Sequence, residues 1–147
     1  MNLREITDRS HIRDVITRSC SVPDNREWTA YETDVFTADA EIANPEGVFA
    51  PRAFAARAQQ KLMGYPVSQH CAMHVQITVS GDEAMAMTYV LCIVVGPGSP
   101  GAAQSYQAGA IYRDTLARSP AGWRIRRRNV QPLWSNSSSA IARPTPA

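Results

Sequence analysis

The chain has no excess of charge of one sign. Fifteen lysines and arginines face thirteen aspartates and glutamates, a formal charge of +2. So small an imbalance argues against a partner captured by bulk charge, whether nucleic acid or an anionic membrane surface. Long apolar runs are missing too. The longest, residues 89–95, is far shorter than the roughly 18 residues of a membrane helix, and the opening MNLREITDRS has no apolar core of a secretory leader. A soluble, cytoplasmic protein is therefore expected. Cysteine is scarce: Cys20, Cys71 and Cys92 are odd in number, widely spaced and set among apolar neighbours. That pattern argues against a disulfide framework and for small buried hydrophobes. The glycine- and proline-rich run 96–101 has neither the Lys-Ser/Thr nor the following helix of a phosphate loop. No internal repeat is visible.

What is present fits one globular domain: 147 residues, 44% apolar, suffice to bury a core. The domain is expected over residues 1–134, and 135–147, which lack core formers, are expected to be a disordered tail. Thr7 or Asp8 is placed to cap a first helix whose face is Ile12, Val15, Ile16 and Ser19/Cys20, with Pro23 as its stop. Trp28, Tyr31 and Val35 share a second short helical face, with Phe36 beside it. Pro51 opens a third helix to about Met63, with Phe54, Ala58 and Leu62 as its stripe. The period then changes to two: Cys71, Met73, Val75, Ile77 and Val79 form an apolar face against a polar one of His70, His74, Gln76 and Thr78. Ser80-Gly81-Asp82 signals a hairpin into a strand over 84–95 that is apolar on both parities. Strands over 104–118 and 123–134 follow, and 96–101 reads as an exposed, mobile connection. Three helices followed by antiparallel strands in series predict an α+β domain, a curled sheet with helices on its concave side and a cavity between.

His70 is the sharpest candidate for chemistry, because it begins a strand on the polar face and an imidazole there is a ready acid or base. Asp24, just past the first helix, is placed to orient that ring and balance its cationic form. His70, Cys71 and His74 do not make a metal site, since along a strand Cys71 points away from both histidines and these are too far apart for one ion. Arg124, Arg126 and Arg128 alternate outward as a solvated face without aromatics for base stacking. Cys92, midway along an apolar strand with no basic neighbour in sequence, reads as core.

ITDRSHIRDVI in the first helix, Asp24 followed by Trp28, FTADAEI, Ser68-Gln69-His70, Gly81-Asp82-Glu83-Ala84, and GAIYRDTLAR leading to GWRI together resemble the SnoaL-like branch of the nuclear transport factor 2-like superfamily. That group includes polyketide cyclases, scytalone dehydratase, bile-acid dehydratase, steroid isomerase and limonene epoxide hydrolase. The likeness runs from about Ile6 to Trp134. It implies a cone-shaped curved antiparallel sheet wrapped around three N-terminal helices, an internal apolar pocket and a homodimer. It also implies that Asp24 supports His70 in moving a proton. Where the dehydratases carry a helix-1 tyrosine and a first-strand tyrosine this chain has Ser19 and Asn44, so their pair of phenols is missing. Tyr112 falls on the strand face that points inward in the dehydratases, and Asp114 shares its parity.

The reading is a cofactor-independent, metal-free acid–base enzyme of dehydratase, cyclase or isomerase type, acting on a small hydrophobic, polycyclic or polyketide-like substrate. His70 would abstract the proton, Asp24 would hold its tautomer, and Tyr112 with Asn44 would bind the oxygen that gains charge. Trp28, Phe54, Met73, Met87 and Tyr89 would wall the pocket, with Asp114 deeper. The alternative from another class is a non-catalytic ligand-binding or assembly subunit, such as the small subunit of ring-hydroxylating dioxygenases. Epoxide hydrolysis is disfavoured because Arg113 and Asp114 face opposite ways in a strand. Neither nucleic acid nor a membrane is an expected partner.

Overall fold

A computed structural model describes residues 1–98 and 103–137. The elements are α1 (Leu3–Asn25), a π-helical turn (Tyr31–Val35), β1 (Phe36–Asn44), β2 (Gly47–Phe49), α2 (Pro51–Lys61), β3 (Val67–Ser80), β4 (Glu83–Val95), β5 (Ser105–Ser119) and β6 (Gly122–Ser137). One curved sheet of order β2-β1-β6-β5-β4-β3 carries the helices on its concave side. All neighbours are antiparallel except β1 and β6, which run parallel because the chain crosses from one edge of the sheet to the other before returning. The residues 99–102 of the Gly/Pro-rich connection, and 138–147 of the expected tail, lie outside the described residues. Ser135–Ser137 were expected in that tail, but β6 runs on to Ser137, paired with the β5 segment that begins at Ser105.

The start and end of α1 differ from the sequence expectation for physical reasons. Asn2, not Thr7 or Asp8, caps the helix by accepting the Glu5 N–H at 2.9 Å. Asp8 instead lies buried, taking two Arg118 N–H groups at 2.7 and 2.8 Å and the Trp123 indole N–H at 3.1 Å. Those Arg118 and Trp123 bonds outweigh burial and hold its carboxyl down to about 2. Pro23 sits inside the last turn rather than stopping the helix. Arg26 then closes it in the left-handed conformation (φ 60°), with the Glu27 N–H reaching the Val22 carbonyl at 3.0 Å.

The core joins Ile12, Ile16 and Val22 of α1 to Val35, Phe36, Ile42, Leu116, Trp123 and Ile125. Tyr31, Phe36 and Phe54 add three mutual ring contacts at 5.4–6.2 Å. The buried stripe of α2 is Pro51 and Ala55, with Phe54 half-buried beside it. Strand β3 is a sheet edge, and α1 covers part of it: Arg9 and Arg13 donate to the Ile77 and Val75 carbonyls at 2.7 and 3.3 Å. No helix among the described residues is long and apolar enough to cross a membrane.

Two irregularities decide which side chains face inward. In β3 the register slips between Met73 and Val75, at His74 with φ 26°. Ser68, His70 and Ala72 therefore share the concave face with Val75, Ile77 and Val79, while Cys71 and Met73 are exposed on the other side. The expected division, His70 opposite Val75 and Ile77, fails because one extra residue inverts parity. In β6 one slip lies between Ile125 and Arg127 against Leu116 and Thr115, and a second between Pro132 and Trp134 against Ala110 and Gly109; the first is the one that matters for Arg128. It turns Arg128 inward, where only 2% of it is exposed, so the expected solvated row of Arg124, Arg126 and Arg128 ends at Arg126.

Candidate active site

Sheet register brings the site together. His70 of β3 stands across from Cys92 of β4, which stands across from Ala108 of β5. One step toward the core, Ala72, Val90 and Ala110 follow in the same way, and beyond them Thr88 pairs with Tyr112. The result is a floor of small apolar side chains between an imidazole and a phenol. Val90 and Val94 are buried on this face yet lie outside the main core cluster, whereas His70, Cys92, Ala108, Ala110 and Tyr112 keep some access.

At the mouth of this floor Asp24, held by the C-terminal turn of α1, grips His70 twice. Its Oδ1 lies 2.7 Å from His70 Nδ1, and its Oδ2 accepts the His70 backbone N–H at 2.7 Å. Ser68 Oγ donates to Asp24 Oδ1 at 2.9 Å, Arg26 donates to Ser68 Oγ at 2.8 Å, and Arg26 is itself tied to the Tyr65 carbonyl at 2.7 Å. A carboxylate only accepts hydrogen bonds, so the Nδ1 proton is fixed on the Asp24 side and Nε2 is the working nitrogen. Nε2 faces Cys92 Sγ at 3.3 Å. Burial disfavours the imidazolium, but the Asp24 and Cys92 hydrogen bonds outweigh it and raise the His70 pKa to about 9. Burial likewise works against the Asp24 carboxylate, yet the His70 ring and backbone N–H hold it below the usual range. With His70 raised above its usual value, its contribution to stability is complete below about pH 6.5 and is lost as pH rises through about 9, whereas the contribution of the lowered Asp24 is lost as pH falls through the carboxylate range.

Deeper in the cone, Asp114 and Arg128 form a two-pronged ion pair, both contacts 2.7 Å, with side-chain exposures of 0% and 2%. Arg128 also donates to Ser19 Oγ at 3.1 Å and stacks over the Tyr112 ring at 4.3 Å. Burial raises the pKa of Tyr112, and of Tyr31, which lies within electrostatic reach of Tyr112, Arg128 and Asp24. Both remain phenols, able to donate a hydrogen bond. The interior thus holds two phenols after all, the second coming from the π-helical turn and not from the positions that carry Ser19 and Asn44. Thr88 Oγ1, fully buried across from Tyr112, has no hydrogen-bond partner among the described residues.

Of the expected pocket residues, Trp28 and Phe54 pack on the concave side, and Asp114 is a structural partner of Arg128. Asn44 closes the β1–β2 turn, its Oδ1 accepting the Glu46 N–H at 2.8 Å. Met73, Met87 and Tyr89 do not wall the interior: their parity puts them on the convex face, where Tyr89 stacks on His74 at 5.1 Å and Met87 Sδ accepts from Arg113. Sequence reasoning missed Arg128, Tyr31 and Cys92. Its one available signal was the parity conflict between Trp123 and Ile125, both odd, and Val130, even, which marks the β6 bulge. Among the described residues no three His, Cys, Asp or Glu side chains converge on a metal position.

Comparison with known proteins agrees with this architecture. A hexachlorocyclohexane dehydrochlorinase (LinA) Type2 superposes with TM-score 0.79 at 21% identity, covering 99% of both chains. A candidate scytalone dehydratase from Novosphingobium aromaticivorans gives 0.77 at 18% identity over 94% of this chain and 92% of that one. An NTF2-like protein of cystatin-like fold from the same organism gives 0.73 at 29% identity over 89% and 85%. No curated protein matches the chain. The SnoaL-like domain family model matches residues 4–129, and the chain, with its curved six-stranded sheet closing over α1, belongs to that family.

Proposed function

We propose that this protein is a cofactor-independent lyase of dehydratase type, with cyclase or isomerase chemistry at the same groups, acting on a small hydrophobic ring substrate. The observation that carries the reading is the double grip of Asp24 on His70, which fixes one nitrogen as donor and aims the other over an apolar floor. Neutral His70 takes a proton from carbon through Nε2. The electrons left behind form a double bond as halide leaves the adjacent carbon, or as a hydroxyl leaves as water with the proton that His70 hands on to it, or they flow into a carbonyl whose oxygen Tyr112 receives. Asp24 stabilises the imidazolium so formed. The similarity to a dehydrochlorinase and to a candidate scytalone dehydratase supports elimination as the reaction class. The catalytic dyad is what the non-catalytic subunit reading leaves without a purpose.

The test is release of chloride or water from a panel of chlorinated cyclohexanes and cyclic β-hydroxy ketones, with no metal or organic cofactor added. Turnover of none of them would remove the elimination reading. Where turnover is found, kcat/KM is expected to rise with pH toward a midpoint near 9, because His70 must lose its proton to act as base. Asp24→Asn removes the charge that raises His70, so the midpoint is expected to move to lower pH while the maximal rate falls. A profile that stays in place takes Asp24 out of the mechanism.

We further propose a cytoplasmic homodimer, joined through the convex face of β4 to β6. Met85, Tyr89, Leu133 and Trp134 are all exposed there, and a two-fold copy is the commonest way to cover such a strip. Light scattering at micromolar concentration is expected to give twice the chain mass, and Tyr89→Glu to give one. A wild-type mass of a single chain refutes the dimer.

A further inference from the structure

The sequence treats Cys92 as filler, but the fold sets its sulfur 3.3 Å from His70 Nε2, on the far side of the ring from Asp24. Sulfur, imidazole and carboxylate in line are the arrangement that activates a thiol: the base takes the S–H proton and the acid holds the base in the tautomer that can accept it. The other two cysteines have no such setting. Cys20 is buried, and its thiol is pushed up to about 11 mainly by that burial. Cys71 is exposed on the opposite face of β3, where the alternation of the strand points it away from His70. Cys92 is half-buried and stands on the interior floor, flanked in register by Ala108 and, one step on, by Val90 and Ala110. Tyr112 is within its electrostatic reach.

We propose that Cys92 is the nucleophile of a Cys92–His70–Asp24 triad and that the site covalently captures flat, apolar α,β-unsaturated carbonyl compounds. In the step, with the proton shared between Sγ and His70 held on Nε2, the Sγ electron pair forms a bond to the β-carbon. The carbon–carbon π pair moves toward the carbonyl, giving an enolate whose oxygen meets the Tyr112 hydroxyl, and His70 returns its proton to the α-carbon. The net change is addition of S–H across the double bond, with no oxidant, reductant or leaving group. The side chains around Cys92 in register, Ala72, Val90, Ala108 and Ala110, are small and apolar, which suits a flat apolar ligand, and a soft electrophile suits a thiol better than it suits an imidazole. The proposal does not rest on the elimination reading, because it needs only the thiol and its base.

The test is mass spectrometry with peptide mapping after brief treatment of the whole protein with cyclohex-2-enone at neutral pH, and in parallel with iodoacetamide. Cys71 serves as the internal reference, an exposed thiol with no histidine. Cys92 is expected to gain one cyclohexenone on the order of tenfold faster than Cys71, because the His70 ring lies within reach of its S–H proton. His70→Asn is expected to slow Cys92 to the rate of Cys71 or below. Labelling of Cys71 first in the wild-type protein overturns the proposal without any variant. So does a Cys92 rate unchanged in folded His70→Asn, which would make accessibility the whole cause, and so does alkylation of Cys92 by iodoacetamide with no enone adduct. Because all three readouts are adduct masses, they succeed or fail separately from the release of water or chloride.

Discussion

His70→Ala is expected to lower turnover of any substrate found in the elimination panel by about 100-fold or more, the usual worth of a positioned acid or base. The loss should fall on kcat, since the floor of Ala72, Val90, Ala108 and Ala110 that would seat the substrate is untouched. The fold should survive. Asp24 keeps the backbone N–H of residue 70 and the Ser68 hydroxyl as donors, so removing the ring does not strand a buried carboxylate without partners. A folded His70→Ala protein that still turns over removes His70 from the mechanism. Loss of turnover in a protein that still folds cooperatively, with no more than the stability lost with the Asp24 ion pair, is the pattern that separates a chemical role from a purely structural one.

The parts of the fold legible in sequence are those carried by unbroken periodicity. The α1 face of Ile12, Val15 and Ile16, the Pro51 start of α2, and the β4 strand between Gly81 and Gly96 all lie where spacing puts them. Asp24 and His70 were each legible as candidates, and Asp24 as a carboxylate able to orient the ring, but likeness to a family was what singled out their pairing, because nothing local says that a residue at the end of a helix will meet one 46 positions on. What sequence hides is parity beyond a bulge. Counting by twos along β3 puts His70 opposite Val75, and along β6 it puts Arg128 in water; one extra residue in each strand reverses both. The same counting across a paired strand made Cys92 anonymous. Its chemistry comes from the β3–β4 register, which sets it against His70, and register is a property of two strands together.

Asp114→Ala is expected to destabilise the protein by about 3–5 kcal/mol, the cost of removing one partner of a buried ion pair. Arg128 is fully enclosed, and its Nε and Nη2 lie 2.7 Å from the two Asp114 oxygens. Without Asp114 the Ser19 hydroxyl at 3.1 Å and the Tyr112 and Phe36 rings, at 4.3 and 5.6 Å, remain close to a full positive charge. At this chain length such a loss lowers Tm by on the order of 10 °C. Replacing both partners, Asp114→Leu with Arg128→Met, is expected to recover most of it, because the penalty comes from stranding a charge and not from lacking the pair. A single substitution that shifts Tm by less than about 2 °C would mean that water reaches Arg128. If instead the double variant recovers stability but not turnover, the pair is retained for what Arg128 does to the Tyr112 ring beneath it. The inward turn of β6 would then be a feature of the site more than of the core.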